Sequence, residues 1–291
     1  MASLAAHKIS LWFQLTQPKK TALLLLGGIA GGFLGYNGKN LLPIILGIVA
    51  LFLACSGVNT ITNFIDMDID ILMDRTKNRV LPSNRILPKK ALYFGAVLLV
   101  ISMVILLPNY IYGIFWIFFG FFFDAILYNY LTKRKTPWNI LIGAPAGGAP
   151  VFVVWSVATK NLVAYAPLML FGVVLLWTPV HVWTLALRYS EDYKKANVPM
   201  LPVVKEKKFT VYVIAIIALL QFLFSLLFYY ILYYSKFTIF IIFSIIGLAF
   251  SLYFSSICIN FNDKKAFTIF KLTSLYLAIV FISAVIYPFI K

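Results

Sequence analysis

The sequence predicts an all-α integral membrane protein, and three observations carry that prediction. Of its 291 residues, 62% are hydrophobic and only 12% are charged, whereas soluble domains carry about 25% charged residues. Apolar runs of roughly 20 residues, the length that crosses the hydrocarbon of a bilayer, recur along the chain. Lysine and arginine are unevenly distributed between the connections that separate these runs. A water-soluble fold with this composition would lack a polar surface, so the bilayer is the expected solvent.

Nine transmembrane helices are predicted, forming one bundle in a single membrane-embedded domain over residues 1–291. The predicted spans are residues 21–37, 41–64, 91–108, 110–131, 139–159, 162–184, 209–233, 237–259 and 267–290. Short turns join these spans on one side of the membrane, and long polar loops join them on the other. The first apolar run follows a polar lead and is interpreted as a span, because it lacks the features of a cleavable signal peptide.

The basic residues predict the orientation of the bundle. Of the 25 lysines and arginines, 21 lie in the N-terminal segment or in and beside the loops 65–90, 132–138, 185–208 and 260–266. The other four are Lys39, Lys160, Lys236 and Lys291. By the positive-inside rule, the N-terminus and the long loops face the cytoplasm of a multi-pass cell-membrane protein. The net charge of +16 is therefore a topology signal, and no nucleic-acid partner is predicted.

The chain uses acidic residues sparingly and concentrates them. Four of its nine acids, Asp66, Asp68, Asp70 and Asp74, fall within nine residues after the second span. If the helix continues past the membrane, Asn63, Asp66 and Asp70 share one face, and Asp68 points elsewhere. A single face of oxygen ligands suits Mg²⁺, which shares its coordination shell with water and phosphate groups. The alternative is a solvated helix end, whose acids pair with neighbouring arginines and lysines.

Other polar groups are predicted on the same side of the membrane. Tyr128, Lys133 and Arg134 end the fourth span, where the two cations suit the binding of phosphate groups; the alternative is ordinary basic flanking of a span. His181 lies between tryptophans near the mouth of the bundle, although a lone membrane histidine is more often a satisfied polar residue. Asp124 lies among phenylalanines of the fourth span and is expected to face the interior, where it pairs with a cation or borders a cavity.

These segments resemble the UbiA superfamily of membrane prenyltransferases, and most of all its protoheme IX farnesyltransferase (heme O synthase) branch. The resemblance runs from about Asn59 to Val204. It rests on NFIDMDIDILMDRTKNR at 63–79, YNYLTKR at 128–134, NILIGAPAGGAP at 139–150, WTPVH at 177–181 and DYKKANVPMLPVV at 192–204. The last block is the most specific to the branch, because quinone-type relatives usually carry an Asp-x-x-x-Asp motif in that loop and this chain lacks it.

The resemblance implies transfer of a farnesyl group from farnesyl diphosphate to a vinyl group of protoheme IX (heme B), with Mg²⁺ as cofactor. It implies that Asn63, Asp66 and Asp70 hold the metal and act in catalysis with Lys133 and Arg134. It assigns substrate binding to Arg75, Arg79, Tyr128, His181, Arg188 and Asp192, with His181 contacting heme. Membrane lipids surround the chain, and a heme A synthase or a terminal oxidase assembly is the implied protein partner.

Three other functions remain open at this stage. A related prenyltransferase would use a quinone precursor or a lipid as acceptor. A transporter would carry ionisable residues near the bilayer midplane, where only Asp124 approaches such a position. A heme-binding assembly factor would need His181 but would have no use for the aspartate stripe.

Overall fold

The computed structural model describes the backbone of residues 2–259 and 263–290, and the side chains of 9–254 and 265–290 within them. The side chains of Lys8, Cys258, Lys264 and Lys291, which contribute to the sequence analysis or its charge count, lie outside the described residues, as does part of the predicted loop 260–266. Helix is the only regular secondary structure in this described part, which confirms the all-α prediction.

Fourteen α-helices and one π-helix follow one another along the described chain. They are α1 Ala2–Leu15, α2 Pro18–Leu34, α3 Leu42–Ile65, α4 Met67–Leu72, α5 Pro88–Leu106, α6 Ile111–Phe121, the π-helix Phe122–Thr132, α7 Asn139–Gly143, α8 Pro145–Thr159, α9 Tyr165–Arg188, α10 Ser190–Lys195, α11 Leu201–Val204, α12 Lys207–Tyr233, α13 Phe237–Ile259 and α14 Asp263–Ile290.

Eight helical stretches in the described residues are long and apolar enough to cross a membrane. They correspond to the second through ninth predicted spans, with α6 continuing into the π-helix and α7 into α8. Helix α2, the first predicted span, has 17 residues and sits at the lower limit of about 17 residues for a spanning helix. The integral membrane fold is confirmed, while the count of nine and the cytoplasmic N-terminus stay predictions.

The N-terminal lead and the long loops contain short helices that the sequence analysis did not predict. Helix α1 packs its Leu11 and Leu15, one turn apart, against Leu81 and Ile86 of the loop after α4. That loop begins with α4, and the loop after α9 contains α10 and α11. Burial against the bundle stabilises these short helices, which have too few residues to be stable alone.

Helix α3, which ends at the acidic segment, packs closely on α5. A Cβ built on Gly57 would lie 2.6 Å from the carbonyl oxygen of Gly95 and 2.9 Å from the amide nitrogen of Leu99. Small residues let membrane helices approach in this way, and the contact is backbone on backbone. A side chain at position 57 therefore has no flexible neighbour to displace.

Gly57→Ala is accordingly expected to destabilise the protein by about 1–3 kcal/mol, the usual cost of overpacking a close contact. Gly120→Ala is the matched control, because its new methyl group would meet only the Cβ of Ala149, at 3.3 Å. Thermal unfolding in detergent measures both variants. Equal melting temperatures would contradict the role of Gly57 in the α3–α5 contact.

Candidate active site

A polar cavity of about 150 Å³ lies where α3, α4, the π-helix and α10 converge. Its lining residues are Gln17, Lys20, Thr62, Asp66, Ile69, Asp70, Met73, Arg75, Arg79, Tyr128, Asn129, Lys133 and Tyr193. Six residues singled out from the sequence are thus brought together: Asp66, Asp70, Arg75, Arg79, Tyr128 and Lys133. Five others, Asn63, Arg134, His181, Arg188 and Asp192, are not among the lining residues.

Asp66 and Asp70 lie one helical turn apart on the cavity wall. Asp66 is the single residue between α3 and α4, and the amide of Asp70 donates to its carbonyl at 2.9 Å, so the helical path is almost continuous. One carboxylate oxygen of Asp66 accepts from Lys133 Nζ at 2.5 Å, and its other oxygen, Oδ1, is buried without a partner. Burial raises the pKa of Asp66, and the charge of Lys133 opposes that rise.

Four cations line the same cavity as these carboxylates. Arg79 Nη1 donates to Asp70 at 2.8 Å, and Lys133 Nζ also donates to Asn129 Oδ1 at 3.2 Å. The guanidinium of Arg75 lies over the ring of Tyr189, 5.3 Å from its centroid. Lys20, the fourth, reaches the cavity from α2. Two carboxylates facing four cations make a site that accepts a divalent cation together with an anionic group such as a phosphate.

The π-helix places Lys133 on the cavity wall. Its wider turn is visible in the bond from the amide of Lys133 to the carbonyl of Tyr128, five residues back, at 2.8 Å. Helices of this kind are rare and are frequently found at functional sites. Tyr128 and Asn129 lie on the same side and also line the cavity.

Asp68 and Arg134 form a separate ion pair. Arg134 donates to both carboxylate oxygens of Asp68, at 2.6 and 2.7 Å, and the Asp68 side chain is 63% exposed. Asp68 therefore points away from the cavity, as the helical spacing predicted. Arg134 follows it outward, so the proposed catalytic role of Arg134 stays a prediction without direct contact with the cavity.

Asn63 is held by the N-terminal segment. Its Oδ1 accepts from Gln17 Nε2 at 2.6 Å, and its Nδ2 donates to the carbonyl of Leu15 at 2.9 Å. Both ends of the amide are thus engaged, and Asn63 ties the junction of α1 and α2 to α3. The bond from Gln17 uses one of the two lone pairs of Oδ1, and the role of Asn63 as a metal ligand stays a prediction.

Asp192 contacts the backbone of Arg75, one of the residues that line the cavity. Its buried carboxylate accepts from the amide of Arg75 at 3.2 Å, and Lys195 pairs with Asp74 at 2.7 Å. Both contacts hold α10 against the loop after α4, which positions the Arg75 side chain. Arg188, at the end of α9, is exposed.

His181 lies in a different environment, between two aromatic rings. Its ring centroid is 4.2 Å from that of Trp177 and 4.0 Å from that of Phe270. Its Nδ1 lies 3.1 Å from Thr273 Oγ1. These contacts join α9 to α14, and the predicted contact of His181 with heme stays a prediction.

Sequence reasoning missed seven lining residues: Gln17, Lys20, Thr62, Ile69, Met73, Asn129 and Tyr193. Lys20 had been counted only as a basic flank, but its Nζ lies 3.6 Å from Asp124 Oδ2. That pair confirms the expectation that Asp124 meets a cation. The sequence did contain a signal that could have indicated Lys20. Asp124 lies inside a predicted span, and an acid there needs a partner.

The donor set fits Mg²⁺. The buried, unpartnered Oδ1 of Asp66 supplies a free oxygen ligand beside Asp70 in one cavity. Among the described residues, no group of three or more His, Cys, Asp or Glu side chains is arranged to hold a metal. Two carboxylates leave most coordination positions to water and phosphate oxygens, which is the shell that Mg²⁺ prefers.

Comparison with known proteins shows the family of this chain. The family model described as "UbiA prenyltransferase family" matches residues 24–278. Protoheme IX farnesyltransferase from Thermoplasma volcanium is 40% identical over 72% of this chain and 73% of its own length. Its namesake from Thermoplasma acidophilum is 34% identical over 97% and 99%.

The solved structures show the same fold. A structure described as giving insights into digeranylgeranylglyceryl phosphate synthase in membranes has a TM-score of 0.75 and 23% identity, covering 98% of this chain and 100% of its own. A UbiA homolog from Archaeoglobus fulgidus, bound to DMAPP and Mg²⁺, has a TM-score of 0.72 and 16% identity over 94% and 98%. With most of its length matched by the family model and by relatives at 34–40% identity, this chain belongs to the UbiA prenyltransferase family.

Proposed function

We propose that this chain transfers a farnesyl group from farnesyl diphosphate to a vinyl group of protoheme IX, producing heme O. The observation that carries the proposal is the single cavity in which Asp66 and Asp70 face Lys20, Arg75, Arg79 and Lys133. The names of the two Thermoplasma relatives support heme as the acceptor.

The diphosphate is the poor leaving group that this cavity is suited to activate. Lys133 and the arginines bind its oxygens, and their positive charge stabilises the negative charge that develops as the allylic C–O bond breaks. Asp66 and Asp70 would hold Mg²⁺, which neutralises phosphate charge when bound. Asn129 holds Lys133 Nζ, so its ammonium is already oriented before the substrate enters.

The bond changes balance without a redox partner. The diphosphate leaves with the electron pair of its bond to C1, and the vinyl group attacks C1 to form the new carbon–carbon bond. Water then adds to the cation beside the porphyrin and loses a proton, which gives the hydroxyethyl-farnesyl group. The prenyl tail lies among apolar helix surfaces, outside the polar cavity.

We also propose that the cavity lies on the cytoplasmic side of the cell membrane, in keeping with the placement of 21 of the 25 basic residues. A heme A synthase or a terminal oxidase assembly would then receive the product. The cytoplasmic position of the cavity and the downstream partner are proposed in addition to the reaction itself.

Purified protein supplied with farnesyl diphosphate, heme B and Mg²⁺ is expected to form heme O, identified by mass spectrometry of the extracted porphyrins. Omitting Mg²⁺ should abolish the product. The side chains alone would then neutralise too little of the diphosphate charge for it to leave. Parallel reactions with a quinone precursor or a glycerol-lipid acceptor serve as the comparison. A prenylated quinone or lipid with unchanged heme B would refute the choice of acceptor while leaving prenyl transfer intact.

A further inference from the structure

An apolar groove of about 450 Å³ lies on the outer surface of the protein, away from the polar cavity. It is lined by Trp12, Lys89, Lys90, Tyr93, Phe94 and Val97. Trp12 of α1 contacts Phe94 of α5 edge to face, with ring centroids 4.9 Å apart. The groove is therefore formed jointly by α1 and the first turns of α5.

The groove lies at the end of a candidate membrane span, where the membrane surface is expected. Helix α5 is a candidate membrane span that begins at Pro88, so Lys89 and Lys90 sit at its very end. Helix α1 has 14 residues, too few to cross about 30 Å of hydrocarbon. Its outer face nevertheless exposes Ile9 and Phe13, at 69% and 54%, which is typical of a helix lying in the interface with its apolar side in lipid.

Lys89 and Lys90, at the mouth of the groove, form no ion pair with any side chain that the structure describes. Lys20, Lys77, Lys133 and Lys195 each pair with an aspartate. Both Lys89 and Lys90 are exposed. Tyr93, 74% exposed beside them, adds an amphipathic ring of the kind enriched at the bilayer surface.

We propose that this groove binds one anionic phospholipid. Lys89 and Lys90 bind the phosphate of its headgroup, and an acyl chain lies along Trp12, Phe94 and Val97. The groove matches such a lipid in charge and shape, because two exposed ammonium groups lie at the polar end of a groove whose walls are otherwise apolar. A zwitterionic lipid fits the same walls but offers the lysines no net charge.

The proposal is tested on the full chain in detergent micelles, titrated with phosphatidylglycerol brominated on its acyl chains. Bromine quenches tryptophan at short range, and subtracting the signal of Trp12→Phe isolates Trp12 from the other five tryptophans. Brominated phosphatidylglycerol is expected to quench Trp12 at mole fractions where brominated phosphatidylcholine does not. Lys89→Gln/Lys90→Gln should weaken the apparent affinity by about 30-fold, from roughly 1 kcal/mol per lysine.

Lys205→Gln/Lys208→Gln is the matched control, since it removes two exposed lysines at the start of another span, α12. It should leave the Trp12 quenching curve unchanged. Equal quenching by the two lipids, equal losses in the two double variants, or quenching unaltered by Trp12→Phe would each overturn the proposal. Because no arm of the test measures turnover, the outcome is independent of the acceptor used by the active site.

Discussion

Asp70→Asn is expected to lower the rate of farnesyl transfer by about 10²- to 10³-fold, the usual loss when one preorganised electrostatic group is removed from a reaction. Asp70 is 5% exposed and lines the cavity beside Asp66. Asparagine preserves its size but carries no charge, so the site loses one of the two carboxylates proposed to hold Mg²⁺. Arg79, which Asp70 holds at 2.8 Å, also loses its orienting partner.

Asp68→Asn provides a close control for this variant. Asp68 lies on the same short helix, two residues away, but its carboxylate is exposed and bound to Arg134. Its turnover should stay within about twofold to threefold of the parent, since an exposed ion pair contributes little. Heme O formation is measured across a Mg²⁺ titration, and Mn²⁺ binding is followed separately by electron paramagnetic resonance. Similar losses of turnover in Asp68→Asn and Asp70→Asn would contradict a specific role for Asp70. The total negative charge of α4 would then determine activity.

The contrast between Asp68 and Asp70 was predictable because it depends on local geometry. Residues one turn apart share a helical face whatever surrounds the helix, so the spacing of Asp66 and Asp70 sufficed. The break at Asp66 did not disturb the pattern, since the amide of Asp70 still bonds to the carbonyl of Asp66. The membrane fold was predictable for a similar reason, because each apolar run can be recognised within one segment of the chain.

Asn63 is a residue for which helical spacing was not a sufficient guide. It lies on the predicted face, yet Gln17 and Leu15, more than 40 residues earlier, occupy both ends of its amide. No periodicity within residues 63–74 reveals a partner from another helix. Lys20 was missed for the same reason, because its contact with Asp124 joins α2 to the π-helix. The N-terminal segment contributes to the site only through tertiary contacts.

Lys133 and Arg134 were predicted as one basic pair, and the structure separates them. Both residues follow Thr132, the last residue of the π-helix, and of the two only Lys133 lines the cavity, while Arg134 pairs with the exposed Asp68. Which of them faces the cavity depends on these tertiary partners, Asp66 for Lys133 and Asp68 for Arg134. The composition of the segment contains no information on that choice.

The inward position of Lys133 leads to the second large expected effect. Lys133→Met should lower the free energy of unfolding by about 3–5 kcal/mol, because removing one partner of a buried ion pair leaves the other charge uncompensated. The side chains of Lys133 and Asp66 are 11% and 12% exposed, so the remaining carboxylate would have little contact with bulk water. Turnover should fall as well, since Lys133 lines the cavity proposed to bind the diphosphate. Lys135→Met, an exposed position two residues further on, should leave stability and turnover nearly unchanged.

The double variant Asp66→Asn/Lys133→Met separates the two roles of this pair. Each single change leaves a buried charge alone, whereas the double change removes both charges. The double variant should therefore be more stable than the sum of the single losses predicts, with a coupling energy above about 0.5 kcal/mol. Turnover should not recover, because the variant lacks both the carboxylate proposed to hold Mg²⁺ and the cation proposed to bind phosphate. Unfolding in mixed detergent and sodium dodecyl sulfate measures stability, and heme O formation measures activity. Strictly additive stability losses would show that the two residues do not depend on each other for burial, and the ion pair would then have no part in building the site.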